Sequence, residues 1–193
     1  VKKYIAAGHK VVVQAGAGVN ASVPDANFSA VGASIVNDAA TAYASDIILK
    51  VQAPTAEEIA LIKDGATVVA MFDPYRNPNL AAFAAKNAQC FALELLPRTL
   101  SRAQNMDVLS SQSNLAGYKS VLLAANEYQR PFPMFMTSAG TAKPVRVIIM
   151  GVGVAGLQAI ATAKRLGAVV EATDLRPTAK DQVESLGGKW LDV

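Results

Sequence analysis

A glycine pattern near the carboxyl end of the sequence constrains the fold more than any other feature. An apolar run, Val147–Ile149, precedes Gly151, Gly153 and Gly156, and a helix-forming run follows over residues 155–166. The apolar run is typical of a parallel strand buried on both faces. The first glycine allows a tight turn, the second lets a pyrophosphate approach the backbone, and the third lets the helix pack closely on the strand. This order predicts a βαβ unit that binds dinucleotide phosphates at a helix N-terminus.

An acidic residue follows at the distance expected for dinucleotide binding. A second apolar run, residues 168–173, ends in Asp174, which lies 23 positions after Gly151. A carboxylate here accepts hydrogen bonds from the adenosine ribose and repels a 2′-phosphate, so it favours NAD over NADP. Arg176 weakens that preference slightly. Two alternatives stay open: a nucleotide site of the methyltransferase type, and a glycine-rich turn that binds no ligand.

The first half of the chain also alternates strands and helices. Helix caps are predicted at Asn37 or Asp38 and in the run Thr55–Glu58. The strand-like runs cover residues 10–15, 33–36, 46–51, 67–72 and 90–96. Strands that alternate with helical spacers predict an α/β fold with parallel sheets.

We therefore predict two parallel-sheet α/β domains. Residues 1–125 are expected to form a flavodoxin-like domain whose first strand is missing. Residues 126–193 are expected to form a Rossmann domain whose C-terminal part is missing, so the sequence is expected to be a fragment. A helix over residues 114–129 is predicted to bridge the two, and residues 138–144 are predicted to be a linker.

Composition excludes several classes of function. The chain is 52% hydrophobic with a net charge of +3, and its basic residues are scattered rather than interleaved with aromatic ones, which argues against nucleic-acid binding. No apolar segment approaches the roughly 20 residues that cross a bilayer. The single cysteine, Cys90, excludes an internal disulfide and is predicted to be a buried small hydrophobe. The single histidine, His9, is predicted to lie in an exposed turn, and we expect no metal site.

The polar segment Arg98–Ser113 is the best candidate for a second half of the site. Arg102, Gln104, Asp107 and Ser110 offer charges, an amide and a hydroxyl close together after a strand end. A nicotinamide ring needs donors and acceptors of that kind. An ordinary interdomain loop whose polar side chains cap its own backbone explains the same residues equally well.

Several runs resemble a known family. They are Pro97–Lys119, which contains Ser101-Arg-Ala-Gln104-Asn-Met-Asp107, then Thr137–Pro144, Gly151–Gly167 and Val183–Leu191. Together they resemble the NAD(H)-binding domain of the alpha subunit of proton-translocating nicotinamide nucleotide transhydrogenase, and the resemblance covers almost the whole chain. Alanine dehydrogenase is the nearest relative of that family and shares its two-domain fold.

The resemblance implies a function. In that family this domain binds NADH and passes a hydride to NADP⁺ held on a separate domain, and the transfer is coupled to proton movement through a membrane domain. It implies partners too: the NADP-binding and membrane domains, and a second copy of the chain in a homodimer. The location implied is cytoplasmic, peripheral at the inner face of the cell membrane.

The resemblance also assigns residues. It implies that Gln104, Asp107 and Arg98 serve hydride transfer. The implied NAD-binding residues are Arg98, Arg102, Gln104, Asp107 and Ser110 at the nicotinamide end, and Gly151, Gly153, Val154, Gly156, Asp174 and Leu175 at the adenine end. The arginine is ambiguous because this chain is one residue longer than the family pattern between Pro97 and Gln104. Arg98 keeps the proline neighbour and Arg102 keeps the distance to Gln104, and we favour Arg98.

Two alternative functions remain. Lys50-Val-Gln-Ala-Pro54 looks like the substrate-lysine strand of alanine dehydrogenase, although a solvated strand end is the simpler interpretation of Lys50. That enzyme needs a histidine after the next strand, where this chain has Phe72-Asp-Pro-Tyr-Arg-Asn-Pro78, so proton transfer lacks its catalyst. The other alternative is an NAD-binding module without catalysis.

Overall fold

The computed structural model describes residues 1–192, which divide into two compact units. The first unit is Val1–Met106 and the second begins at Asp107. Both have the α/β character that the sequence predicts, with parallel strands in each.

The first unit contains short helices and strands in alternation. Its helices are α1 (Lys2–Ala6), α2 (Asp25–Ser29), α3 (Ala39–Tyr43), α4 (Ala56–Leu61), α5 (Leu80–Ala85) and α6 (Ser101–Gln104). Its strands are β1 (Val12–Gln14), β2 (Ser34–Val36), β3 (Ile47–Gln52), β4 (Thr67–Met71) and β5 (Gln89–Ala92). Short 3₁₀ turns lie at Val19–Ala21 and Leu93–Leu95.

Two parallel sheets organise this unit. Strands β1 and β2 form a pair, and β3, β4 and β5 form a sheet in that order. Strand β4 is central, and the side chains of Val68 and Ala70 are fully buried. The rings of Phe72 and Phe83 pack edge to face with centroids 5.3 Å apart. The apolar core of the unit therefore lies around the central strand.

Both helix caps predicted in this unit are present. The Asp38 carboxylate accepts hydrogen bonds from the backbone N–H groups of Ala40 and Thr41 at the start of α3. Thr55 and Glu58 form a reciprocal capping box at the start of α4. Each cap satisfies helix N–H groups that otherwise have no partner.

The second unit begins with a long helix and continues as a βαβ fold. Its helices are α7 (Val108–Glu127), α8 (Val154–Arg165) and α9 (Lys180–Ser185). Its strands are β6 (Phe135–Thr137), β7 (Gly140–Ala142), β8 (Arg146–Met150), β9 (Val169–Thr173) and β10 (Lys189–Trp190), and a 3₁₀ turn lies at Pro177–Ala179.

Strands β8, β9 and β10 form a parallel sheet in the order β10-β9-β8. This is the strand order of one half of a dinucleotide-binding sheet. Ile160, Val170 and Val183 are buried in its core, between α8, α9 and the sheet. The Arg146 guanidinium pairs with the buried Glu171 carboxylate across β8 and β9 at 2.6 Å.

The structure corrects several expectations. The long helix begins at Val108 rather than near residue 114, because the Asp107 side chain caps it. This helix packs along α8, and the second compact unit begins at Asp107. The domain division at residues 125/126 stays a prediction. The predicted strand over residues 90–96 ends at Ala92 and continues as a 3₁₀ turn. Residues 138–144 were predicted to be a plain linker, but they contribute to an antiparallel hairpin of β6 and β7.

Cys90 was also predicted wrongly. Its side chain is exposed rather than buried, because it lies on β5, an edge strand that is hydrogen-bonded on one side to β4. Burial of part of the side chain still raises the pKa of the thiol. Among residues 1–192, no helix is both long and apolar enough to cross a membrane.

The contact between α7 and α8 depends on Gly117. A Cβ atom on Gly117 would lie 2.1 Å from the carbonyl oxygen of Ala155, so the two helices could not keep their spacing. In a free helix, Gly→Ala stabilises by about 1 kcal/mol. We expect Gly117→Ala to do the opposite and to lower the free energy of unfolding by about 1–3 kcal/mol, as overpacking does.

Urea unfolding followed by circular dichroism checks the sign of this change. Asn114→Ala, at an exposed position of the same helix, is the matched control and is expected to be neutral or stabilising. An increase in stability with Gly117→Ala would contradict the close approach of the two helices.

Candidate nucleotide-binding site

Each of the three glycines in the turn between β8 and α8 has a different structural role. Gly151 has a φ of +95°, a left-handed conformation that glycine adopts without strain. A Cβ on Gly156 would lie 1.9 Å from the Gly151 carbonyl oxygen, so only glycine lets the helix start this close to the strand. Around Gly153 a Cβ would meet nothing within 4 Å. The turn is therefore closed at Gly156 and open at Gly153, the position at which a phosphate group would approach the backbone.

The N-terminus of α8 carries no side-chain cap. Gly153 is the N-cap residue and offers no side-chain acceptor, and Val154, the first helical residue, is partly exposed. The first N–H groups of a helix lack partners within it, and the helix dipole adds positive potential there. Since α8 is 12 residues long, its start is suited to a phosphate.

A cavity of about 330 Å³ lies beside the turn. Small side chains on the facing side of α7, Ala116 and Ser120, stand four positions apart and therefore share one helix face. The complete lining is Ala116, Gly117, Ser120, Ile149, Met150, Gly151, Ala155, Gly156 and Ala159. Small residues on α7 thus keep space open next to the glycine turn.

The carboxylate predicted to bind ribose is already fully engaged. One Asp174 oxygen, Oδ2, accepts hydrogen bonds from the backbone N–H of Val152 at 2.7 Å and from Nη2 of Arg176 at 3.2 Å. The other, Oδ1, accepts from the backbone N–H of Arg176 at 2.9 Å and from its Nε at 3.0 Å. The Asp174 side chain is 10% exposed, whereas the Arg176 side chain is 65% exposed.

These donors set the charge of the site. The Arg176 side chain first, and then the backbone N–H groups of Val152 and Arg176, hold the pKa of the Asp174 carboxyl well below its usual range. The same pairing raises the pKa of Arg176. Asp174 is therefore ionised throughout the physiological range and acts only as a hydrogen-bond acceptor.

Leu175 lies between these two residues and is fully exposed. The structure therefore brings Gly151, Gly153, Val154, Gly156 and Asp174 together around one turn. Leu175 adjoins them in sequence and offers an apolar side chain to solvent.

Asp107 and Ser110 lie together at the start of α7. The Asp107 carboxylate accepts a hydrogen bond from the Ser110 backbone N–H at 2.9 Å, so it is the N-cap of the helix. An N-cap contributes about 1 kcal/mol to helix stability, which gives Asp107 a structural role whatever else it does.

Arg98, Arg102 and Gln104 belong to the first unit, and all three are exposed. Arg102 and Gln104 lie on α6, a four-residue helix, two positions apart, so they do not share a face. Arg98 precedes that helix in an irregular segment.

Lys50 is held by its neighbours rather than being a solvated strand end. Its ammonium pairs with the Glu58 carboxylate, which also accepts the Thr55 backbone N–H, and it lies 5.9 Å from the centre of the Tyr43 ring. Burial first, and then the Glu58 carboxylate, raise the pKa of the Tyr43 hydroxyl. Lys50 is thus part of a local ionic cluster that ties β3 to α4.

The run Phe72–Pro78, where alanine dehydrogenase needs its histidine, is an ordered turn without one. The Asn77 amide donates to the Phe72 carbonyl at 2.8 Å, and the Asn77 amide oxygen accepts the Asn79 backbone N–H at 2.8 Å. Asp73 adopts a φ of +46°, and its backbone N–H donates to the Glu94 carboxylate. Hydrogen bonds of Asn77 and of the Asp73 backbone stabilise the turn. The turn contains no histidine that could transfer a proton.

Three features of the site were missed from the sequence. The Val152 backbone N–H and the Arg176 guanidinium both contact Asp174, and the small face of α7 lines the cavity. A spacing of four between Ala116 and Ser120, with Gly117 beside them, was the available signal for the face of α7.

The geometry defines a class of protein. A β8–α8–β9 unit has an uncapped helix start, an open glycine and an ionised carboxylate at the end of the second strand, which together form a dinucleotide-binding fold. Two family models match consecutive segments of the chain: "Alanine dehydrogenase/PNT, N-terminal domain" over residues 1–116, and "Alanine dehydrogenase/PNT, C-terminal domain" over residues 120–193. The chain therefore belongs to the alanine dehydrogenase/PNT family, as the resemblance implied.

Individual relatives agree with this assignment. An NAD(P) transhydrogenase subunit alpha polypeptide of Rhodospirillum rubrum is 54% identical over 200 residues, covering 100% of this chain and 52% of that protein. The crystal structure of transhydrogenase from Sinorhizobium meliloti matches with a TM-score of 0.94 and 53% identity, covering 100% of this chain and 55% of that one. Alanine dehydrogenase of Mycolicibacterium smegmatis is 29% identical, covering 94% of this chain and 50% of that enzyme. The chain spans about half the length of the relatives that it matches.

The two glycines of the turn make a matched test of its geometry. Gly156→Ser would place a Cβ against a carbonyl oxygen, and we expect it to lower the free energy of unfolding by about 1–3 kcal/mol or more. Gly153→Ser would project into open space and supply a preferred N-cap, so we expect a change within about 0.5 kcal/mol.

Thermal and urea unfolding of both variants measure the difference directly. Equal destabilisation by the two serines would show that the turn is closed at both glycines and would contradict an open phosphate position.

Proposed function

We propose that this chain is the NAD(H)-binding component of a proton-translocating transhydrogenase. In this role it passes a hydride from NADH to NADP⁺ held on a separate domain. The observation that carries the proposal is the turn that is open at Gly153, with an uncapped helix start on one side and the Asp174 carboxylate on the other. The whole-chain match to a transhydrogenase alpha subunit supports this choice within the family.

The residues at the turn fit the adenine half of NAD. The backbone N–H groups of Gly153 and Val154 would hold the pyrophosphate, because the start of α8 has no side-chain cap. Asp174 would accept the ribose hydroxyls. Gly151 and Gly156 keep the turn tight, and the exposed Leu175 would lie near the adenosine.

We assign Gln104, Asp107, Ser110 and Arg98 to the nicotinamide end, with Arg102 as the second arginine. NADH, when bound, supplies the hydride. The task of these residues is to bind and orient the nicotinamide ring and to exclude water, since hydride transfer between two nicotinamides needs near-attack distance and no general acid or base. Because Asp107 also caps α7, its position is fixed by the helix that it starts.

The proposal includes partners and a location. The relative from Rhodospirillum rubrum is named as a subunit, which supports assembly with NADP-binding and membrane domains. We propose a homodimer that is cytoplasmic and peripheral at the inner face of the membrane.

Alanine dehydrogenase is the second candidate, because the family includes it and the run Lys50-Val-Gln-Ala-Pro54 resembles its substrate-lysine strand. Two observations weigh against this function. Lys50 is already paired with Glu58, and the turn over residues 72–78 contains no histidine to transfer the proton.

A cyclic hydride-transfer assay distinguishes these functions. The chain is mixed with a partner domain loaded with NADP, and NADH and an NAD analogue are supplied, while pyruvate plus ammonia is tested in parallel. Transfer that requires the partner and ignores pyruvate is the expected result. Oxidation of NADH that requires pyruvate and no partner would establish an amino-acid dehydrogenase, and inactivity in both assays with NAD bound would leave a non-catalytic module.

The nicotinamide assignment predicts separate effects on rate and on binding. We expect Gln104→Ala and Asp107→Asn to slow hydride transfer by about 10-fold or more, the scale of one lost hydrogen bond to a group of the reacting ring. Affinity for ADP-ribose, which lacks the nicotinamide, should stay unchanged.

Asparagine is chosen at position 107 because it caps a helix as well as aspartate does, so stability should be retained. Asn105→Ala, an exposed neighbour, is the control. A normal transfer rate in both variants would assign the segment to a structural role.

A further inference from the structure

The Asp174 carboxylate uses its full hydrogen-bonding capacity within the protein. A carboxylate has about four lone-pair positions, and four N–H groups donate to Asp174. Two of the donors are backbone groups, of Val152 and Arg176. The other two, Nε and Nη2, belong to the Arg176 guanidinium.

The backbone donors and the guanidinium donors differ in how easily a ligand could displace them from Asp174. The backbone N–H groups belong to the glycine turn and to the segment that follows β9, so both bonds are lost only if the backbone itself rearranges. The guanidinium is on a long side chain that is 65% exposed. Its further contact, from Nη2 to the Val152 carbonyl at 3.3 Å, is long for a hydrogen bond. Only the guanidinium pair is therefore readily exchanged.

The proposed ligand supplies the same number of donors. The adenosine ribose of NAD has two hydroxyls, which would replace the two guanidinium bonds one for one. NADP has one of these hydroxyls replaced by a phosphate, which cannot donate to a carboxylate and is repelled by it. A guanidinium released from Asp174 would instead pair with that phosphate.

We propose that Arg176 is a specificity-determining residue: it occupies the ribose position of Asp174 in the free protein, and it must move aside when NAD binds. This inference rests on the proposed NAD(H) function. Arg176 competes with NAD for the carboxylate and attracts the 2′-phosphate of NADP. It therefore reduces the difference between the affinities for NAD and NADP, which would be larger with Asp174 alone.

The expected effect of Arg176→Ala is a larger preference for NAD. The two backbone donors still orient Asp174, so NAD⁺ should bind as tightly as to the wild type or more tightly, while NADP⁺ should bind more weakly. We expect the ratio of the NADP⁺ and NAD⁺ dissociation constants to rise about 3- to 10-fold, between the effects of an exposed ion pair and of a charged hydrogen bond. Arg176→Lys keeps the charge but cannot make the bidentate contact with Asp174. Its ratio of NADP⁺ to NAD⁺ dissociation constants should lie between those of Arg176→Ala and the wild type.

Calorimetric titration of the full chain with NAD⁺ and with NADP⁺ measures these ratios. Arg165→Ala removes an exposed arginine at the end of α8 and is the matched control for net charge, with no change of ratio expected. Asp174→Ala is the comparison for loss of the acceptor, with weaker NAD⁺ binding expected.

The outcomes separate the two proposals. Wild-type protein that fails to bind NAD⁺ would overturn the proposed function, and the inference with it. Normal NAD⁺ binding with an unchanged ratio in Arg176→Ala would overturn the inference alone. Weakening of NAD⁺ binding by Arg176→Ala to the same degree as by Asp174→Ala would show that Arg176 only positions the carboxylate, which also contradicts the proposed competition.

A spectroscopic measurement tests the displacement itself. In the free protein the Nε–H of Arg176 donates to Asp174, so its ¹H–¹⁵N signal should exchange slowly with water. Addition of NAD⁺ should shift this signal and speed its exchange, whereas the Nε–H of Arg165 should not respond. An unchanged Arg176 signal in the NAD⁺ complex would show that the guanidinium stays in place.

Discussion

The hydrogen bond from the Val152 backbone N–H to the Asp174 carboxylate organises the candidate site. It joins the glycine turn that follows β8 to the residue that follows β9, at a distance of 2.7 Å. The same two segments are joined by the Gly151 N–H, which donates to the Thr173 carbonyl at 2.9 Å. Because the strands are parallel neighbours, their carboxyl ends meet at one edge of the sheet. The uncapped start of α8 and the Asp174 carboxylate, to which we assign the pyrophosphate and the ribose, are therefore joined by two hydrogen bonds between neighbouring segments.

The surrounding packing keeps that connection accessible from one side. Gly156 brings α8 against the turn, and Gly117 brings α7 against α8, each by excluding a Cβ that would strike a carbonyl oxygen. Gly153, by contrast, faces open space. The backbone is closely packed at Gly156 and Gly117 but open at Gly153. An anion can therefore approach the N–H groups at the start of α8, where the helix dipole stabilises negative charge. A dinucleotide site here needs no general acid or general base, which agrees with the proposed hydride transfer between two nicotinamides.

The sequence predicted the parts of the structure that depend on local spacing. The three glycines, Asp174 and the Asp38 cap follow rules that involve a few neighbouring residues, and each is found where it was expected. The predicted start of α7 was wrong because the polar residues around Asp107 show no helical periodicity of apolar residues. The boundary is visible only from the capping hydrogen bond of Asp107. The hairpin of β6 and β7 was missed because its strands are three residues long. The ion pair between Arg176 and Asp174 depends on the conformation of the Arg176 side chain, which the spacing of residues in the sequence does not specify. The cofactor-binding and catalytic roles assigned to the glycine turn, to Asp174 and to residues 98–110 remain predictions.

A crystal structure of the chain with NAD⁺ tests the central claim most directly, because the claim concerns where the phosphates and the ribose bind. We expect pyrophosphate oxygens within hydrogen-bonding distance of the Gly153 and Val154 backbone N–H groups, and both ribose hydroxyls on Asp174. A dinucleotide bound away from the start of α8, with Asp174 still held as in the free protein, would contradict this claim.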